Sequence, residues 1–274
     1  MSVIIISSDS GPAEQEIAQS TAENMGYALV GREILEKVAD KYRIPGEALL
    51  KTLDERPPFF SRSSRLWNRH LAYIEEATLG ELIKDNRVCN GLAAHLYVLG
   101  VSHVLRIRIL SDPEKLAEQL ASQEGISNEK AKKILNRGKK RHRRWSMDAY
   151  GLDETDPSRY DLVINLSKID PDEAVKIIRE TISGRRFRPM TYSIKCIQDI
   201  ELAGRARSAL IGRFPDVKVR ANNGTLVIET TALKREKQKR TDLIKEIAGD
   251  IAGVEYVEVH VINDILRQAV ESFR

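Results

Sequence analysis

The chain opens on an apolar run, Val3 to Ile6, within a strand predicted over Val3–Ser7. Apolar positions at helical spacing follow from Pro12 to Met25. A short run with no polar alternation predicts a strand buried on both faces. Pro12 suits a first helical position, because the N–H it lacks would be unpaired there, and Gly26 supplies the stop. Ala28 to Val30 predicts a second strand and Arg32 to Tyr42 a second helix. This strand–helix–strand opening implies a parallel sheet with crossover helices.

Ser64 to Asp85 reads as a long helix through Leu66, Leu71, Ile74, Leu79, Leu82 and Ile83. Val88-Cys89 predicts a strand entering Asn90-Gly91, and Ala93 to Leu99 the next helix. VLRIRIL, from Val104 to Leu110, predicts a strand carrying Arg106 and Arg108. Helices are expected over Pro113–Glu124 and Asn128–Tyr150, a last core strand over Asp161–Asn165, and a closing helix over Asp172–Ile182 after the Asp170-Pro171 start. The stretch SGRRFRP at 183–189 has the composition of an exposed linker. Beyond it the rhythm becomes helix (Ile200–Gly212), hairpin, helix (Arg240–Ile251) and strand (Glu255–Val261). In the hairpin, Asn223-Gly224 supplies the two positive-φ residues of a type I′ turn. Two separately folding units are expected, 1–184 and 190–274, with trypsin cutting first at Arg185, Arg186 or Arg188.

Composition narrows the class. In 274 residues, 42% are hydrophobic and 31% charged, the balance of a soluble globular chain. No apolar run approaches the roughly 20 residues that span a bilayer. The run at Val3 is too short for a signal peptide, so a cytoplasmic location is expected. Two cysteines, Cys89 and Cys196, build neither a disulfide framework nor a zinc site, and the five histidines show no ligand spacing. The 44 basic and 40 acidic residues nearly cancel, so local runs matter more than the net charge of +4. KREKQKR at 234–240 reads as a solvated turn and helix start. RGKKRHRR at 137–144 is narrower than a nucleic-acid footprint and lacks interleaved aromatics, which argues against a nucleic-acid partner.

Several segments, taken in order, carry a resemblance. They are IISSDSGPAEQEIA at the opening, GREILEKVADKYRIP, DERPPFF at 54–60, NGLAAHL through VLRIRIL, and DPSRYDLVINLSKIDPDEAV. Over roughly Val3 to Ile182 the chain resembles the cytidylate kinase-like family, a branch of P-loop nucleoside monophosphate kinases. The resemblance implies a P-loop kinase-like parallel sheet with flanking helices, and phosphoryl transfer from ATP with Mg²⁺ if the protein is active. From about Asp199 to Ile262 the chain resembles a BON domain, a small α+β module, through Gly224 in the hairpin and IAGVEYVEVHVI. That resemblance implies a protein or lipid partner.

A phosphate loop needs glycines so that successive N–H groups can surround the phosphates, and most versions add a lysine. Ser8, Ser10 and Gly11 are the phosphate-binding candidates here, but Ala13 and Glu14 stand where the family has glycines and Pro12 removes a donor. No basic residue precedes Arg32, while Asp9, Glu14 and Glu16 place acids beside the phosphate position. At an effective dielectric of about 20, like charges roughly 4 Å apart repel by about 4 kcal/mol, which outweighs the half charge of a helix N-terminus. Weak ATP binding follows as the expectation.

The helix over 128–150 sets Lys130, Lys133, Arg137, Arg141 and Arg144 on one face, with Ala131, Leu135 and Trp145 on another. The resemblance makes this region a lid, with Arg141 and Arg144 as catalytic candidates and Arg137 as a phosphate ligand. A merely solvated basic face is the other reading. Arg32 and Arg56 are candidates for an acceptor monophosphate. At Asn90-Gly91-Leu92-Ala93 the chain departs from the family's Gly-Arg-Gly. Three functions are thus open: a binder of nucleotides or other phosphorylated small molecules with weak or lost transfer, an active CMP-type kinase, and an interaction module.

Overall fold

The computed structural model describes residues 2–8, 11–55 and 62–263. Asp9, Ser10 and Arg56 lie outside the described residues. The first sheet collects β1 (Val3–Ser8), β2 (Ala28–Val30), β3 (Arg87–Asn90), β4 (Val104–Leu110) and β5 (Leu162–Asn165), all parallel, in the order β2-β3-β1-β4-β5. Because β1 is central, both of its faces are covered. Val3 and Ile5 enter one core and Ile4 and Ile6 the other, which is why the sequence shows no alternation there.

Helices cover both faces. They are α1 (Gly11–Met25), α2 (Ile34–Tyr42), α3 (Gly46–Asp54), α4 (Arg62–Leu82), the single turn α5 (Ala94–Tyr97), α6 (Pro113–Glu124), α7 (Asn128–Tyr150) and α8 (Pro171–Ser183). Where capping chemistry is explicit, the expected limits are met. Asp112 accepts from Glu114 N and Lys115 N at the start of α6, Ser127 accepts from Lys130 N at the start of α7, and Gly125 and Gly151 close both helices in the left-handed conformation.

Some expectations are corrected. The helix placed at Arg32 begins at Ile34, and the one placed over Ala93–Leu99 shrinks to one turn because Leu92 and Ala93 take positive φ values of 55° and 57°. Leu66 and Ile83, read as part of the apolar stripe of α4, are exposed. The stretch at 183–189 is not uniformly exposed. Arg185, Arg186 and Arg188 face solvent, but Phe187 is buried in the same core as Ile4 and Ile6.

The C-terminal part is built from α9 (Thr191–Ile211), β6 (Lys218–Asn222), β7 (Thr225–Ala232), α10 (Lys237–Gly249) and β8 (Tyr256–Asn263). β6 and β7 form the expected hairpin, with φ of 46° at Asn223 and 78° at Gly224, and β8 adds in parallel to β7. α9 begins nine residues before the predicted start and serves two cores. Ile197, with Cys196 and Ile200 against it, belongs to the core of α2–α4, while Leu202, Ala206 and Leu210 belong to the core of the second sheet. Gly204 permits this seating: a Cβ there would meet Leu79 Cδ1 at 2.9 Å.

Candidate functional site

In an open parallel sheet, ligands gather beyond the C-terminal strand ends, where the winding reverses. Here the reversal falls at β1, from which the chain goes to β2 on one side, while β3 leads across to β4 on the other. The ends of β1 and β3 are tied by Gly91 N donating to Ile6 O at 2.9 Å. Gly91, Leu92 and Ala93 all take positive φ, so a run of three left-handed residues follows the end of β3.

Register decides which side chains meet. Ser7 stands opposite Arg108, on the face that carries Val3 and Val104 toward the α2–α4 core. The Arg108 guanidinium is buried at 6% exposure, and its Nη1 donates to the Tyr160 hydroxyl at 3.1 Å. Ser7 Oγ donates to the same hydroxyl at 3.3 Å, and Tyr160 in turn donates to Glu154 O at 2.7 Å. His142, from α7, donates from Nδ1 to Glu154 Oε1 at 2.9 Å. His95 stacks on Tyr160 with ring centroids 5.4 Å apart. Burial pushes His95 down to about 4, so it is neutral at pH 7.

Glu14, in the first turn of α1, completes the cluster: Ser8 Oγ donates to its Oε2 at 2.8 Å. Burial pushes its carboxyl up to about 7, against the pull of the Ser8 bond and the charges of Arg32, Arg108 and His142. Of the three acids expected beside the phosphate position, Glu14 therefore brings less than a full charge, and Asp9 lies outside the described residues. Glu14 is close to half protonated at neutral pH, and Glu16 is exposed on the outer side of α1.

The candidates named from sequence are only partly brought together. Ser8 is in the cluster. Gly11 begins α1 beside it. Arg32 reaches Glu14 by its charge but pairs with Asp54 at 3.0 Å and is largely exposed. Arg141 adjoins His142 and opposes its protonation, while Arg137, Arg141 and Arg144 are all exposed and form no ion pair among the described residues. Arg108, Tyr160, Glu154, His142 and His95 were not singled out as site residues. The one available signal was the pair of arginines, Arg106 and Arg108, inside the strand VLRIRIL, since a guanidinium buried in a parallel sheet must meet polar groups.

The hydrogen bond to Glu154 raises His142 above the usual histidine range, against an opposing effect of burial. Burial would push Glu154 up, but His142, His95 and Arg108 hold it low. The His142 contribution to stability is present below its unfolded value and is lost as pH rises through the raised folded value. Changing Glu154→Gln is expected to return the His142 titration downward, toward or below the ordinary value, as read from imidazole proton shifts. An unchanged titration would show that the pair does not hold the proton.

This parallel sheet with flanking helices, with a turn from its central strand into α1, is a P-loop kinase-like α/β fold. The family model that matches, over residues 3–168, is that of the cytidylate kinase-like family, and the chain belongs to that family. The cytidylate kinase of Methanopyrus kandleri is 28% identical over 188 residues, 66% of this chain and 92% of its own. That of Pyrococcus horikoshii is 27% identical over 183 residues, 66% of this chain and 88% of its own. A solved structure from Eubacterium ventriosum, covering 68% of this chain and all of its own, shows 19% identity and a TM-score of 0.49. No helix among the described residues is long and apolar enough to cross a membrane.

Proposed function

We propose that this protein binds a nucleotide or another phosphorylated small molecule at the C-terminal edge of its first sheet, with phosphoryl transfer weak or lost. One observation carries the reading: the charges of Arg32, Arg108 and His142 all act on Glu14, an acid in the first turn of α1. The cations favour a phosphate. Efficient transfer from ATP requires glycine amides and compensating charge around the β- and γ-phosphates, and this loop offers an acid and no lysine. Ser8, Ser10 and Gly11 would face the phosphates from the loop, with Arg32, Arg56 and Arg137 as further ligands. Arg141 and Arg144 would close over the ligand from α7.

The names of the two archaeal relatives favour a second reading, an active kinase for which ATP and Mg²⁺ are the cofactors and CMP the acceptor. In either case residues 1–184 form the kinase-like unit and 190–274 a BON-like unit that takes a protein or lipid partner. The order β6-β7-α10-β8 supports a second unit, while the first half of α9 packs on the core of α2–α4.

Calorimetry with CMP and ATP, with and without Mg²⁺, followed by a coupled ATP/CMP assay, separates the two. The expected result is measurable CMP binding, ATP dissociation constants above about 1 mM, and no turnover. Micromolar ATP binding with turnover would establish the active kinase instead. Changing Arg141→Ala together with Arg144→Ala is expected to weaken CMP binding about tenfold, a modest effect because both side chains are solvated. Unaltered affinity would identify α7 as a solvated basic face.

A further inference from the structure

Glu14 is surrounded from every element at the strand ends. Ser8 reaches it from β1, Arg32 from the turn after β2, Arg108 from β4 and His142 from α7. The Cys89 thiol of β3 lies close enough to feel its charge, and a Cβ on Gly91 would stand 3.4 Å from its Oε1. Yet none of the three cations forms an ion pair with it within the 4 Å of a salt bridge. Arg32 is engaged by Asp54, His142 by Glu154 and the buried Arg108 by the Tyr160 hydroxyl. No carboxylate among the described residues lies within ion-pair distance of Arg108. With Arg32 and His142 balanced by Asp54 and Glu154, the buried Arg108 is left facing Glu14, a carboxyl that, among the described residues, is tethered by Ser8.

Resting on the reading of this site as a phosphate site, we propose that Glu14 is an internal stand-in for the ligand's anionic group, so that an anion binds only as Glu14 takes up a proton. The balance is one proton from solvent for each anion that binds the ionised form and none for the form already protonated. Uptake therefore grows from near zero well below pH 7 to one proton well above it, and the proton returns to solvent when the anion leaves. With the carboxyl already raised to about 7, this uptake is accessible at neutral pH. Above that value Glu14 is ionised and competes with the ligand, so anion affinity falls as pH rises.

Sulfate is the suitable probe because it keeps its double charge across neutral pH. Its binding to the full chain is measured by calorimetry from about pH 6 to pH 8, in two buffers of different ionisation heat, so that protons taken up are counted directly. The wild-type affinity is expected to fall up to about tenfold per pH unit above about pH 7, with uptake approaching one proton per sulfate. Glu14→Gln is expected to bind sulfate about tenfold more tightly at about pH 8 and to lose most of the uptake, the remainder belonging to His142. Should that variant not fold, Glu14→Gly is measured in its place.

A carboxyl NMR titration of Glu14 in the wild type adds an independent reading, and its midpoint must move up when sulfate saturates the site. Equal affinity and equal proton uptake in wild type and variant, or a midpoint that stays put, would overturn the role of Glu14 while leaving the anion site standing. Absence of sulfate binding in both proteins at every pH, with CMP also unbound, would remove the site itself.

Discussion

Replacing Arg207 by Met is expected to destabilise the protein by about 3–5 kcal/mol in urea unfolding, among the largest costs of any single exchange on the surface of α9. Arg207 Nη1 hydrogen-bonds Glu75 Oε2, and Glu75 on α4 is only 6% exposed. The variant leaves that carboxylate without its cation in a place water hardly reaches. The same exchange combined with Glu75→Gln is expected to cost clearly less, because the uncompensated charge goes with it. A single-variant loss below about 1 kcal/mol would show that the pair behaves as a surface ion pair.

Glu14→Gln carries the second large effect, and its sign is set by linkage. A carboxyl whose folded value is raised, from 4.5 to about 7, favours the folded state when protonated. That contribution is intact below about pH 4.5 and is lost as pH rises through 7. The glutamine, which cannot ionise, avoids the loss. The variant is expected to match the wild type near pH 4.5 and to exceed it by about 3 kcal/mol at pH 8, since each tenfold weakening of the acid on folding is worth about 1.4 kcal/mol. Parallel stability curves for the two proteins across this range would mean that Glu14 ionises in the folded protein as it does in water.

Local chemistry made much of the fold legible. β2, β4, α6 and α7 begin and end where their alternation, caps and terminal glycines indicate. α3, to which the sequence pattern assigns no element, starts on Gly46 and is held by only two buried leucines, Leu49 and Leu53. The first nine residues of α9 went unassigned as well. Its two halves face different cores, so no single apolar stripe runs its length. The site was legible at Ser8, Glu14 and Arg32. Ser8 and Glu14 are neighbours in sequence, but Arg108, His142, Glu154 and Tyr160 join them only through strand register and the return of α7. Pairing of that kind leaves no local trace, apart from the two arginines set among the apolar residues of β4.

The double duty of α9 bears on how the chain comes off the ribosome. Domains emerge N-terminal first, at roughly 5–20 residues per second, and usually fold as they appear. Here the first sheet is complete once β5 has emerged, yet α4 at Leu79 and Glu75 still lacks its contacts with α9, Gly204 against Leu79 and Arg207 against Glu75. A nascent chain that has finished β5 still shows that part of α4 to solvent or to other nascent chains until α9 arrives. Any truncation made at the apparent boundary near residue 189 would make that transient exposure permanent.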